Sequence, residues 1–364
     1  MIKSLFTIFL FIHGLIHLMG FVKGFGLADI KELTLPISKS SGFLWLLTTV
    51  LFLVTLLLFL LKRDNWWMVG SLAVVMSQIL IFTAWHDARF GTLANVIVLI
   101  GVLIGAGTWQ FNRMVRSEVS SFMPSSLSAN IPVRDSAIAL MPPVVQKWLK
   151  RSGIIGKETI QTVHLYQSGQ MRTKPDARWM SFEAEQWFRI EDPGFIWKAK
   201  VSAPVGLKMI ARDQYKDGKG HMLIKLASLI PVADVQNMET DQGSLLRYLA
   251  ELAWFPSSAL EPYLRWEEVD SLTAKVTMTY GGIEASGICR YTQEGDMVSF
   301  EARRYYDRKE GATLEDWFIE VDPDGYREFA GIRIPAKSSV TWKLKEGDLR
   351  WLELEITEVK YNEK

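Results

Sequence analysis

The sequence predicts two parts: a membrane α-helical bundle of four spans, then an α+β soluble domain. The soluble domain is read as a strongly curved antiparallel sheet or half-open barrel with a lid or plug helix. Three observations predict this. Four long apolar stretches crowd into residues 1–116. From Thr159 onward apolar and polar residues alternate with period two. One later segment, Asp241 to Phe255, breaks that alternation with a helical pattern.

A bilayer core asks for about 20 mostly apolar residues per helix. Ile2 to Val22, Phe43 to Leu61, Trp66 to Trp85 and Thr92 to Phe111 all meet that length. Trp45, Trp66, Trp67, Trp85 and Trp109 fall near the ends of these runs, where an amphipathic ring suits the headgroup layer. The first run lacks a small-residue cleavage site and two histidines interrupt it, so it reads as a retained helix and not a signal peptide. With four spans both termini share a side. That side carries Lys3, Lys62, Arg63, Arg113 and Arg116, against Lys23, Lys31, Lys39 and Arg89 opposite. The positive-inside rule then makes the termini, and with them the soluble domain, cytoplasmic.

His13 and His17 lie four apart on one helical face, which is also the spacing of a helical metal or haem ligand pair. Ionisable residues inside a membrane are candidates for function. His13 and His17, with Asp87 and Arg89 beyond the third span, therefore form a possible site of the membrane part. No third ligand has a fixed spacing, so neither a metal nor a cofactor is implied. The plainer reading gives the histidines hydrogen bonds to neighbouring helices and leaves Asp87 and Arg89 in a solvated loop. Gly101 and Gly105 have the small-x-x-x-small spacing that lets helices approach closely.

Composition narrows the function classes. The formal net charge of the 364 residues is +1, which gives a nucleic-acid partner no support. The one cysteine, Cys289, excludes an intramolecular disulfide. Its strand-like surroundings make it a small buried hydrophobe before a nucleophile. The sequence holds no P-loop, no G-x-S-x-G, no C-x-x-C and no His-Glu-x-x-His.

Residues 117–135, rich in serine with Pro124 and Pro132, read as a tether between the bundle and the soluble domain of residues 136–364. A short helix follows near 142–152. Pro142 and Pro143 suit its first turn, Val144, Val145, Trp148 and Leu149 form an apolar face, and Gly153 stops it. About ten strands are then expected. Phe182, Ala184 and Phe188 alternate with Glu183, Glu185 and Arg189, and Phe195, Trp197, Ala199 and Val201 alternate with Lys198 and Lys200. Val340, Trp342 and Leu344 do the same later in the chain. In the last strand Leu352, Leu354 and Ile356 share one face, whereas Val359 and Tyr361 fall on the other parity. That shift near Thr357 and Glu358 predicts a bulge that bends the strand. The helix expected over residues 241–255 places Leu245, Leu249 and Leu252 on one face, capped by Asp241 or Ser244 and ended by Pro256.

The run Phe11-Ile12-His13-Gly14-Leu15-Ile16-His17-Leu18, the Asp87-to-Gly91 loop, the Tyr248-to-Pro256 segment and Gly331-Ile332-Arg333-Ile334-Pro335 resemble an uncharacterised bacterial membrane-protein family. That family pairs N-terminal helices with a C-terminal β-domain. The resemblance implies a multi-pass protein of the bacterial cell membrane and brings no catalytic residue. The stretch Tyr326 to Pro335, with the two strands after it, is also similar to the end of lipoprotein-localisation-type (LolA/LolB-like) domains. There a half-open barrel holds acyl chains on its concave face under a helical lid.

The leading expectation is an integral membrane protein whose β-domain binds an apolar ligand, a membrane lipid, at the membrane surface. Trp254, Phe255, Tyr248, Trp197 and Trp342 are its candidate ligand-binding residues. Such a site needs shape and burial more than catalytic groups. The competing readings are a filled core with no cavity, a hydrolase or transferase on a membrane-derived substrate, and a partner-binding or structural domain of a membrane complex. The hydrolase would draw on Glu183, Glu185, Glu251 and the Arg303-Arg304-Tyr305 cluster. Arg247 and Glu251, four apart on a helix, are expected to make a surface pair.

Overall fold

In the computed structural model, which describes residues 2–128, 131–202 and 206–363, four helices are long and apolar enough to cross a membrane. They are Lys3–Gly24, Lys39–Leu60, Trp66–Thr83 and Gly91–Phe122. The first is interrupted at His17 into α1 (Ile2–Ile16) and α2 (Leu18–Gly24). The others are α3 (Lys39–Leu60), α4 (Trp66–Thr83) and α6 (Gly91–Phe122), with the single turn α5 (Trp85–Ala88) between the last two. Ser38 caps α3 by accepting a 3.2 Å hydrogen bond from the Ser41 amide.

Small residues in these helices do two different jobs. Gly24 and Gly42 bring α2 and α3 together at backbone distance, because a Cβ on Gly24 would lie 2.9 Å from the Gly42 Cα. Gly101 and Gly105 instead receive aromatic rings. A Cβ at Gly101 would lie 2.5 Å from the Phe6 ring, and one at Gly105 2.6 Å from that of Trp66.

Two compact units divide the chain: residues up to Met114 together with Ala227–Leu229, and the remainder. Helix α6 therefore begins in one and ends in the other. Its last turns occupy Ser117–Phe122, which the serine content had marked as tether. The reason is Phe122, which is fully buried against Gly194 and under the Arg189 guanidinium, while Glu118 pairs with Arg212 at 3.1 Å. Beyond it, Val133 exchanges backbone hydrogen bonds with Lys157 and Gly156. Ala129 and Asn130, also within the stretch read as tether, lie outside the described residues. Two short helices follow, α7 (Asp135–Ile138) and α8 (Pro143–Arg151).

A 13-stranded antiparallel sheet curls into a half-barrel. Its first meander is β1 (Thr162–Met171), β2 (Met180–Arg189), β3 (Gly194–Ser202), β4 (Lys208–Lys216), β5 (Lys219–Leu226) and β6 (Ile230–Val235). Helix α9 (Met238–Glu251) comes next. The second meander is β7 (Leu264–Asp270), β8 (Thr273–Tyr280), β9 (Ile283–Tyr291), β10 (Met297–Tyr306) and β11 (Thr313–Val321). A separate hairpin, β12 (Tyr326–Phe329) with β13 (Ile332–Pro335), precedes β14 (Lys337–Leu344) and β15 (Gly347–Tyr361). The sheet order runs β6-β5-β4-β3-β2-β1-β15-β14-β11-β10-β9-β8-β7. The last strand therefore joins the two meanders, and β6 and β7 are the free edges.

Curvature comes from bulges, which bend a strand and raise its twist. Along β15, Tyr166 faces Glu358 and Gln167 faces Ile356, so Thr357 is the extra residue, at the position where the apolar parity changes. Trp351 is skipped likewise against β14, and Val232, Val269 and Val298 bulge on other strands.

Helix α9 lies across the concave face, packing on β4 and β5 of one meander and on β8, β9 and β10 of the other. It starts earlier than expected, because Asn237 is the cap and accepts 2.8 Å and 2.6 Å hydrogen bonds from the Thr240 amide and hydroxyl. Asp241 serves the sheet instead, accepting from the Gly220 amide and Lys219. After Glu251 the chain tightens into 3-10 turns over Leu252–Trp254 and Pro256–Leu260.

Candidate functional site

The concave face is only partly filled. Tyr248, Phe255, Leu245, Phe188 and Phe195 are fully buried in one continuous core between α9 and the sheet. Past the end of α9 the sheet and the helix line a partly open cavity of about 410 Å³. Its wall comes from both meanders, with Met180, Phe182, Met209 and Met222 on one side and Phe300, Trp317 and Ile319 on the other. Methionine and aromatic side chains adapt to ligands of irregular shape.

Polar groups gather where α9 meets this space. Arg247 donates through Nε to Glu251 at 2.8 Å and through one terminal nitrogen to Asp213 at 2.7 Å. Its guanidinium stacks over Phe195 and Trp197, 4.8 and 5.1 Å from the ring centres. Gln186 donates to the second Glu251 oxygen at 2.8 Å, Gln167 donates to Gln186 at 3.2 Å, and the Trp197 indole donates to Gln167 at 2.9 Å. Burial pushes the Glu251 carboxyl above the ordinary carboxylate range, although Arg247 and Gln186 pull the other way.

Arg304, on β10, faces the same cavity. It rests on the rings of Trp317 and Trp342, 4.8 and 5.9 Å from their centres. Burial lowers its pKa to about 10, which still leaves it charged at neutral pH.

The surface pair expected of Arg247 and Glu251 is thus a buried one. Their side chains are 17% and 10% exposed, because the helix face that carries them turns toward the cavity. Of the aromatic residues named from the sequence, Trp254 and Trp197 line the cavity, and Trp342 lies behind Arg304. Tyr248 and Phe255 sit in the packed core, where the Tyr248 hydroxyl reaches the Arg189 carbonyl at 3.2 Å. Asp213 and Gln186 escaped sequence reasoning, and Arg304 was named only within the Arg303-Arg304-Tyr305 cluster of the hydrolase reading. A signal was present: Met209, Ala211, Asp213 and Tyr215 share one parity of β4, as Phe300, Ala302, Arg304 and Tyr306 do on β10, so each charge stands in an otherwise apolar row. Glu183 lies exposed on the outer face, away from this cluster. Cys289 is buried and its thiol is pushed up to about 12, which leaves it inert.

The helical unit holds its own polar chain. His17 donates through Nδ1 to the His13 carbonyl at 2.8 Å, and its Nε2 lies 2.8 Å from the Ser77 hydroxyl, which donates to Asn95 at 3.0 Å. His13 donates through Nε2 to Asn95 at 2.9 Å, Asn95 donates to Gln78 at 3.0 Å, and Gln78 donates to Thr92 at 3.1 Å. Among the described residues no group of three or more His, Cys, Asp or Glu side chains could hold a metal ion. The Asp87 carboxylate accepts from the Thr34 amide and hydroxyl and from the Leu35 amide, at 2.6, 2.8 and 3.1 Å. His86 also pairs with it, at 3.0 Å. These hydrogen bonds hold the Asp87 carboxyl well below the usual range. Asp87 is therefore a clamp on the loop after α2 and not a solvated charge. Arg89 stacks on Phe90.

Residues 132–354 match the model of a family described as a family of unknown function, DUF6544. No curated protein matches the chain. Among solved structures, that of a DUF1329 family protein from Desulfovibrio piger aligns over 60% of this chain and 92% of its own, at 11% identity and a TM-score of 0.31.

Proposed function

The chain belongs to the DUF6544 family, whose function is unknown, and from the cavity we propose that its half-barrel binds an apolar, chain-like ligand, a lipid, at a membrane in which the four helices anchor it. The cavity carries this reading. This space of about 410 Å³ is walled mainly by methionine, aromatic and aliphatic side chains, whose exposure to water is unfavourable. Water is a poor filler, because most of the wall is apolar, with Thr173 and Ser338 added to the polar group around Arg247 and Arg304. A flexible apolar chain suits the methionine and aromatic walls, and the volume falls in the usual range of ligand pockets.

Native mass spectrometry of the purified full chain tests this. A bound lipid is expected on the wild type and is expected to be lost in Ala211→Trp, which puts an indole where a buried methyl lines the cavity. Bare protein from the wild type, or the same adduct on a folded Ala211→Trp, would overturn the reading.

A further inference from the structure

Arg247 takes both carboxylates of the buried cluster, Asp213 and Glu251, in hydrogen bonds of 2.7 and 2.8 Å. Arg304 is left as a guanidinium whose partners are the faces of two tryptophans. Among the described residues no hydrogen bond or ion pair reaches its nitrogens. A guanidinium has five N–H donors and no acceptor. Two ring faces replace only part of the hydration it gives up. Arg304 is half-buried, and its side chain lines the cavity into which a ligand would fit, so an anion there would take the place of water at these donors. Asp213 and Glu251 act on it through space and raise its pKa, but burial outweighs them.

We infer that the ligand carries an oxyanion head, a carboxylate or a phosphate monoester, which pairs with Arg304 while its single apolar chain lies along the methionine-lined wall. This inference rests on the lipid-binding reading and adds the head to it. A planar guanidinium can meet either oxyanion with two parallel hydrogen bonds. A neutral lipid such as a long-chain alcohol or a sterol would cover Arg304 without pairing it, so the site discriminates by head as well as by tail.

The test uses the full chain in phosphatidylcholine nanodiscs and three photoreactive probes of one tail: hexadecanoic acid, hexadecanol and hexadecyl phosphate, each with the same diazirine. Crosslinked peptides from the cavity wall are quantified by mass spectrometry. Wild-type protein is expected to take one or both anionic probes at least about tenfold over the alcohol, and the stronger of the two names the head. Arg304→Gln is expected to bring that ratio close to one while the alcohol still labels the wall. Equal labelling of the wild type by all three probes would overturn the head and leave the lipid reading standing. Labelling of the wall by none of them would overturn both. An anion preference that survives in Arg304→Gln would overturn the role of Arg304. The wild-type ratio needs no variant, so it decides even if Arg304→Gln fails to fold.

Discussion

At the residue scale, the site is a set of charges standing where apolar side chains would pack. Glu251 shows what that costs. Its carboxyl is raised in the folded chain, mainly by burial. A group raised on folding favours the folded state below its unfolded pKa, and that contribution is lost as the pH rises through the folded pKa. Glu251→Gln removes this dependence together with one partner of Arg247. The melting temperature of the variant relative to wild type is therefore expected to rise from about pH 4 to about pH 8, read by tryptophan fluorescence. A relative fall over the same range would mean that Arg247 holds Glu251 ionised. The row patterns of β4 and β10 carried the signal for Asp213 and Arg304. The hydrogen bonds among Gln167, Gln186 and Trp197 did not show, since they join residues of three different strands.

At the element scale, bulges and caps decide where side chains point. Thr357 is the clearest case, because a parity change readable in the sequence coincides with the residue left unpaired in the ladder. Past it, Val359 joins the core, the Tyr361 hydroxyl donates to the Trp254 carbonyl at 2.7 Å, and Asn362 accepts from the Gln161 amide at 2.7 Å. Deleting Thr357 would turn these residues to the opposite face. The expected loss is about 3–5 kcal/mol, measurable by denaturant titration, whereas Thr357→Ala, which keeps the extra residue, is expected to stay within about 1 kcal/mol of wild type. Similar stability for the deletion and the substitution would show that the bulge does not set the register. The cap of α9 was less legible, because Asn237, Asp241 and Ser244 all have capping side chains. Only the folded sheet shows that Asp241 is already engaged by Gly220. The end of α6 was hidden for a related reason, since serine-rich sequence looks like linker until Phe122 finds its pocket on Gly194.

At the scale of the whole molecule, the division into apolar helices and an alternating β-domain was open to reading, because the two periods differ so sharply. The strand order was not, since alternation says which face a strand buries and nothing of its neighbour. That order gives β15 a special place: it pairs with β1 on one side and β14 on the other. Removal of residues 347–364 is expected to part the sheet into two wedges and open both apolar faces. The check is the binding of a hydrophobic dye and loss of protease resistance throughout the β-domain, and a truncated chain as resistant as the full one would refute it. Time enters here as well. Gln161 and its partner Asn362 are 201 residues apart, so β1 is made long before the strand that completes it. Until the last strand has left the ribosome, two half-sheets with bare apolar concave faces must wait side by side, and nascent chains of this kind call on chaperones.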